Sequence, residues 1–156
     1  MKIIPLLLLV FILLSCASLK ERPIVGEYKW GDRVAATKWN SPPSSFYNFD
    51  SLKLKQLLAE TQNKEINYVI FASSFCSECK ENLPRIIAVF EKAGIPQSGY
   101  RLFGLDDDLE EPSGYYKKFN IKNTPVVFVL SDNRVIGSVE FPPTNWLDDL
   151  LKICSK

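Results

Sequence analysis

The sequence predicts an α/β domain, a mixed central sheet of about four strands with helices on both faces. Three observations predict it. From residue 45 onward, short apolar runs rich in β-branched and aromatic residues alternate with segments whose apolar residues recur at helical spacing. Strands separated by helices pair in parallel through crossovers. The last two runs are separated only by Asp132-Asn133, turn residues that imply an antiparallel hairpin at the end.

Each element has its own signal. Asp50-Ser51 can cap a helix whose mostly apolar side is Leu52, Leu54, Leu57 and Leu58. "NYVIFAS" (67–73) is a short run of the kind that forms a buried strand. After Cys76, Leu83, Ile86, Ile87 and Phe90 recur at helical spacing until Gly94 stops the helix. "YRLFGL" (100–105) reads as a second strand, and "EEPSGYYKKF" (110–119) predicts a helix starting near Ser113. "PVVFVLS" (125–131) and "RVIGSVE" (134–140) are the two strands of the hairpin. Asn145 can cap a last helix with Trp146, Leu147, Leu150, Leu151 and Cys154 on its apolar side.

The chain of 156 residues suits one domain plus extras, and a formal charge of +1 supplies no basic field for nucleic acid. Met1-Lys2 is followed by "IIPLLLLVFILLS", which ends at Cys16. That is short of the roughly 20 apolar residues of a membrane span and fits a secretory signal. Residues 17–27 read as a polar tether with Pro23 and Gly26. Residues 28–44 hold Tyr28, Trp30 and Trp39 and read as an ordered extension or short hairpin. The expected division is a signal peptide at 1–15, attachment, tether and extension at 16–44, and the α/β domain at 45–156.

Leu13-Leu14-Ser15-Cys16 resembles the lipobox of bacterial lipoproteins. The resemblance implies cleavage before Cys16 and a diacylglyceryl group on its thiol, against an uncleaved anchor or a plain secretory signal with an incidental cysteine. It also implies a membrane-anchored domain on the extracytoplasmic side of the bacterial envelope, where disulfides persist. With Cys16 lipidated, Cys76, Cys79 and Cys154 remain, an odd number. Cys154, on an apolar helix side, reads as a buried inert thiol.

Cys76 and Cys79 stand in "FASSFCSECKENLP" (71–84), after a strand and at a helix start. Unpaired N–H groups and the dipole favour negative charge there, so a thiolate has a lowered pKa and attacks disulfides. The two-residue gap lets a second thiol resolve the mixed disulfide. Cys76 is the expected exposed nucleophile and Cys79 the more buried resolving thiol. A zinc half-site is a poor rival: a closed site needs four ligands, and the chain has no histidine and only Cys154 besides. A purely structural disulfide is a second rival, though so short a loop constrains the unfolded chain little. Asp106-Asp107-Asp108 reads as a solvated loop rather than a cation site, and Trp30 and Trp39 as packing residues.

Strand, Cys-x-x-Cys, Lys80 and Pro84, followed later by "FNIKNTPVVFVL", resemble the two signatures of the thioredoxin-like superfamily. The match runs over residues 45–156. The segment around the cysteines is most similar to the membrane-tethered TlpA/ResA type, several of whose members reduce disulfides outside the cytoplasm. The resemblance implies a cis bond before Pro125, with Thr124 and Pro125 offering a substrate groove beside the redox pair. It implies protein thiol and disulfide substrates and no metal or organic cofactor. In an oxidising compartment a reductive role also implies a membrane electron donor.

The chain departs from the family at three places. Asn82 stands where many members carry glutamate, Ile70 where thioredoxin has a buried aspartate, and Phe75 where tryptophan is common. The acid serving Cys79 is thus unassigned, with Glu78 and Glu81 as candidates. A carboxylate between the cysteines, in Ser77-Glu78, opposes the thiolate and makes the pair more reducing. The rival function is a thioredoxin-like binding module anchored to the membrane, its cysteines merely oxidised.

Overall fold

The computed structural model describes residues 23–37 and 42–156, with only the backbone described for 34–37. The predicted signal peptide, Cys16 and Trp39 lie outside the described residues. Strand β2 (Ile66–Ser73) is central because seven of its eight residues are buried, as a strand covered on both faces must be. It pairs in parallel with β3 (Tyr100–Leu105) and antiparallel with β4 (Val126–Ser131). Strand β5 (Arg134–Glu140) closes the hairpin against β4. Asp132 (φ 52°) and Asn133 (φ 59°) both take the left-handed conformation that a tight two-residue hairpin turn requires.

The sheet has five strands rather than four, in the order β1-β3-β2-β4-β5. The extra strand, β1 (Gly26–Tyr28), pairs antiparallel with β3 and comes from the segment read partly as tether. Three residues are too few to show a period, so the sequence pattern missed it. Helix α1 (Trp30–Thr37) follows, so the extension is strand and helix rather than a hairpin. The chain entering β1 crosses close over Gly104, where an added Cβ would lie 1.9 Å from the Ile24 carbonyl oxygen.

Helices α2 (Ser51–Asn63), α3 (Ser77–Ala93) and α4 (Trp146–Cys154) cover one face of the sheet. Their side chains, among them Leu57, Leu83, Phe90 and Leu150, interlock with Ile70, Leu102 and Val127 beneath. The capping residues are as expected. Asp50 accepts N–H bonds from Leu52 and Lys53, and Asn145 from Leu147 and Asp148. The cap at Asp50 turns Leu52 outward, 74% exposed, so the buried stripe is Leu54, Leu57 and Thr61. Removing the cap in Asn145→Ala is expected to cost about 1 kcal/mol in denaturant unfolding.

The second face carries Val69, Phe71, Phe103 and Phe128, packed under Tyr115, Phe119 and Ile121. The helix expected over 110–119 is only a 3-10 turn, Tyr115–Lys118. Local chemistry explains this. The Glu111 carboxylate accepts the N–H groups of Ser113 and Tyr116, and Gly114 takes a left-handed φ of 70°. Backbone groups satisfied by a side chain in this way are withdrawn from a helical ladder. Aromatic stacking covers the face instead, with Phe71 in ring contact with Phe103, Phe119 and Phe128.

Candidate functional site

The end of β2 delivers the chain to Cys76, which is the N-cap of α3 with an extended backbone (φ −83°, ψ 118°). Its Sγ does what a capping oxygen does elsewhere, accepting the Cys79 N–H at 3.4 Å. The same Sγ donates to the Thr124 carbonyl at 3.3 Å. Cys76 is half-buried and Cys79 fully buried on the inner side of the first turn, both as free thiols. Burial pushes the Cys79 thiol from 9.0 up to about 12. Hydrogen bonds from Thr124 and the Ser73 backbone oppose this shift, and Cys76 adds to it.

Thr124 thus bears on both thiols: its carbonyl accepts from Cys76, and it works against the upward shift of Cys79. The Thr124-Pro125 bond is cis, and Pro125 is buried at the head of β4. The Pro125 carbonyl accepts the Phe141 N–H at 3.2 Å, next to a second cis bond at Phe141-Pro142. Beyond that corner lies a cleft of about 470 Å³ lined by Phe46, Tyr47, Phe49, Arg85, Pro142 and Trp146. Phe75, beside Cys76, is 56% exposed.

The positions where an acid was sought hold none that touches Cys79. Ile70 is packed in the core. The Asn82 amide is committed elsewhere, donating to the Glu78 carbonyl at 2.9 Å and accepting from Trp146 Nε1 at 3.0 Å. Glu81 is exposed and Glu78 half-buried, and neither is among the groups acting on Cys79. Cys154 is buried, its Sγ 3.5 Å from the Tyr68 hydroxyl, which in turn bonds Thr61. The Asp106 carboxylate accepts the N–H groups of Asp108 and Glu110. Among the described residues no cluster of three or more His, Cys, Asp or Glu could hold a metal ion.

A parallel β2/β3 pair, an antiparallel β4/β5 hairpin, a Cys-x-x-Cys at the helix after β2 and a cis-proline opening β4 now stand together. The fold is thioredoxin-like. The chain is similar to several solved structures. A protein of unknown function from Pseudomonas aeruginosa superposes with a TM-score of 0.50 at 16% identity, over 82% of this chain and 86% of that one. The germline-specific thioredoxin Deadhead of Drosophila melanogaster gives 0.41 at 16% identity, over 62% and 85%. A thioredoxin of Halobacterium salinarum gives 0.41 at 14% identity, over 64% and 80%. No family model matches the sequence, and neither does any curated protein.

The raised Cys79 thiol makes a pH prediction for the thioredoxin-like core. In the unfolded chain the thiol loses its proton near 9.0, whereas in the fold it holds it to about 12. Its contribution to stability is therefore complete below pH 9 and is lost as pH rises through that window. Denaturant unfolding against pH should show the reduced protein losing more stability there than the oxidised one, which has no Cys79 thiol to titrate. Equal losses would contradict the burial of that thiol.

Proposed function

We propose that the protein is a thiol–disulfide oxidoreductase of the TlpA/ResA type. In this reading it is lipid-anchored through Cys16 on the extracytoplasmic side of a bacterial envelope and reduces or isomerises disulfides of envelope proteins. One observation carries the reading: a half-exposed Cys76 and a buried Cys79 lie on the first turn of α3, with Cys76 held by the Thr124 carbonyl. The Cys76 thiolate attacks a substrate disulfide, forming a mixed disulfide and releasing one substrate thiol. Cys79 then attacks the Cys76 sulfur, closing the internal disulfide and releasing the second thiol, so the substrate gains the two electrons that the pair loses.

The Cys79 N–H donates to the Cys76 sulfur and holds it at the start of the helix. Exposed Phe75 and the Thr124-Pro125 corner present apolar surface and backbone to an extended substrate segment. The reducing direction is the one that the Ser77-Glu78 pair between the cysteines favours in the sequence. Recycling the oxidised pair in that compartment requires electrons from a membrane donor. The test is reduction of a protein disulfide by the dithiothreitol-fed protein. Cys76→Ser is expected to abolish catalysis and capture no partner. A Cys76→Ser chain that still pulls down its partner non-covalently would instead indicate a binding module.

A further inference from the structure

The cleft beyond the cis-proline corner has one charged side chain in its lining, Arg85; the others are aromatic, proline, asparagine and threonine. Arg85 is exposed on α3, and Glu81 stands one turn before it on the same helix. That spacing ordinarily joins opposite charges. Here the guanidinium carbon lies instead 5.7 Å from the centre of the Tyr47 ring, and among the described residues no carboxylate is ion-paired with it. The carboxylates in the first turn of α4 are engaged elsewhere. Asp148 pairs with Lys53 at 2.8 Å, and Asp149 accepts the N–H groups of Thr144 and Asn145. Arg85 therefore gives the cleft a positive charge with no local counter-charge.

The lining is held in place. Tyr47 meets Phe46 edge-on and stacks on Phe49, and Lys92 of α3 donates to the Tyr47 carbonyl. Trp146 is buried, with its Nε1 held by the Asn82 side-chain oxygen. Phe46 by contrast is 75% exposed, an apolar ring open to a partner. The cleft also joins the redox corner at two points. Phe141 in its lining donates to the Pro125 carbonyl, and Asn82 donates to the Glu78 carbonyl in the first turn of the helix that Cys76 caps. Arg85 follows Cys76 along this helix by a rise of about 13 Å. An extended chain covers that length in about four residues.

We propose that this cleft is a specificity subsite for the substrate protein, in which Arg85 receives an Asp or Glu side chain about four residues from the substrate cysteine. This rests on the oxidoreductase reading above. The guanidinium fork can hold a carboxylate through two N–H bonds, and it repels a lysine placed there. The aromatic lining takes the apolar residues between and limits the water around the ion pair. Arg85 thus acts on which disulfide reaches Cys76, and the exchange itself stays with the cysteines.

The experiment uses the full chain in detergent carrying Cys16→Ser and Cys79→Ser, so that Cys76 attacks and nothing resolves. It is offered equal amounts of two peptides, alike except for Glu or Lys four residues from a cysteine activated as its disulfide with thionitrobenzoate. Pairs are made with the charge on either side of the cysteine. The Cys76 thiolate bonds to the peptide sulfur and the thionitrobenzoate anion leaves, and mass spectrometry reads the ratio of adducts mapped to Cys76. Attraction of one peptide and repulsion of the other should together favour Glu about tenfold for one placement. The ratio should fall toward one in about 1 M salt, where the Debye length is about 3 Å. Arg85→Glu should invert it to favour Lys, which a merely structural role for Arg85 would not do. A ratio near one for both placements overturns the subsite, as does a Glu preference that survives in Arg85→Glu. The activated peptide reacts with any accessible thiol, so the subsite and the proposed function fail separately. A Glu preference in a protein that, with Cys79 restored, reduces no protein disulfide would remove the function and leave the subsite. Reduction of protein disulfides with no charge preference would do the reverse.

Discussion

Cys79→Ser is expected to stop turnover and to accumulate the protein as mixed disulfides through Cys76. The nucleophile keeps its N-cap position and its Thr124 contact, so attack continues. Resolution fails because a well-placed internal group acts at an effective concentration of about 10⁵ M or more, which millimolar external thiol cannot match. Steady-state turnover should fall about a thousandfold or more. Non-reducing electrophoresis and mass spectrometry would show adducts that a reductant releases and that Cys76→Ser prevents. Undiminished turnover in Cys79→Ser, or adducts mapped to Cys154, would refute the assigned roles.

Gly104→Ala tests the architecture rather than the chemistry. An added methyl would sit 1.9 Å from the Ile24 oxygen and 2.7 Å from its carbon, atoms of the backbone that no rotamer change can move. The chain ahead of β1 must therefore lift from β3, at an expected cost of about 3 kcal/mol. Hydrogen exchange should show lost protection at Gly26–Tyr28, with β2 and β4 still protected. Unchanged stability with β1 still protected would mean that the close approach over Gly104 is wrong.

The core of the fold was legible because its signals are local. Strand β3 coincides with "YRLFGL", β5 with "RVIGSVE", and Asp50, Gly94 and Asn145 end or begin helices where their chemistry demands. Cys76, Cys79, Thr124 and Pro125 were legible as two motifs far apart in sequence, and the structure brings them together at one corner. What stayed hidden depends on distant partners. Strand β1 exists because β3 offers an edge and Gly104 lets the chain pass, neither of which is written in "GEY". The 110–119 segment has helical composition, yet Glu111 and Gly114 break the ladder locally. Arg33 is fully buried and donates to the Tyr28 hydroxyl, a contact that depends on the docking of the extension and has no local signal in the sequence.

The most direct test of the central claim is the equilibrium potential of the Cys76–Cys79 pair. The protein would be poised in dithiol–disulfide buffers and its thiols counted by alkylation mass shift. A reversible two-electron transition at or below about −250 mV is the expected result, that of a reductant fed by a membrane donor. A value above about −150 mV would contradict the reducing direction, and no reversible transition at all would contradict the redox function itself.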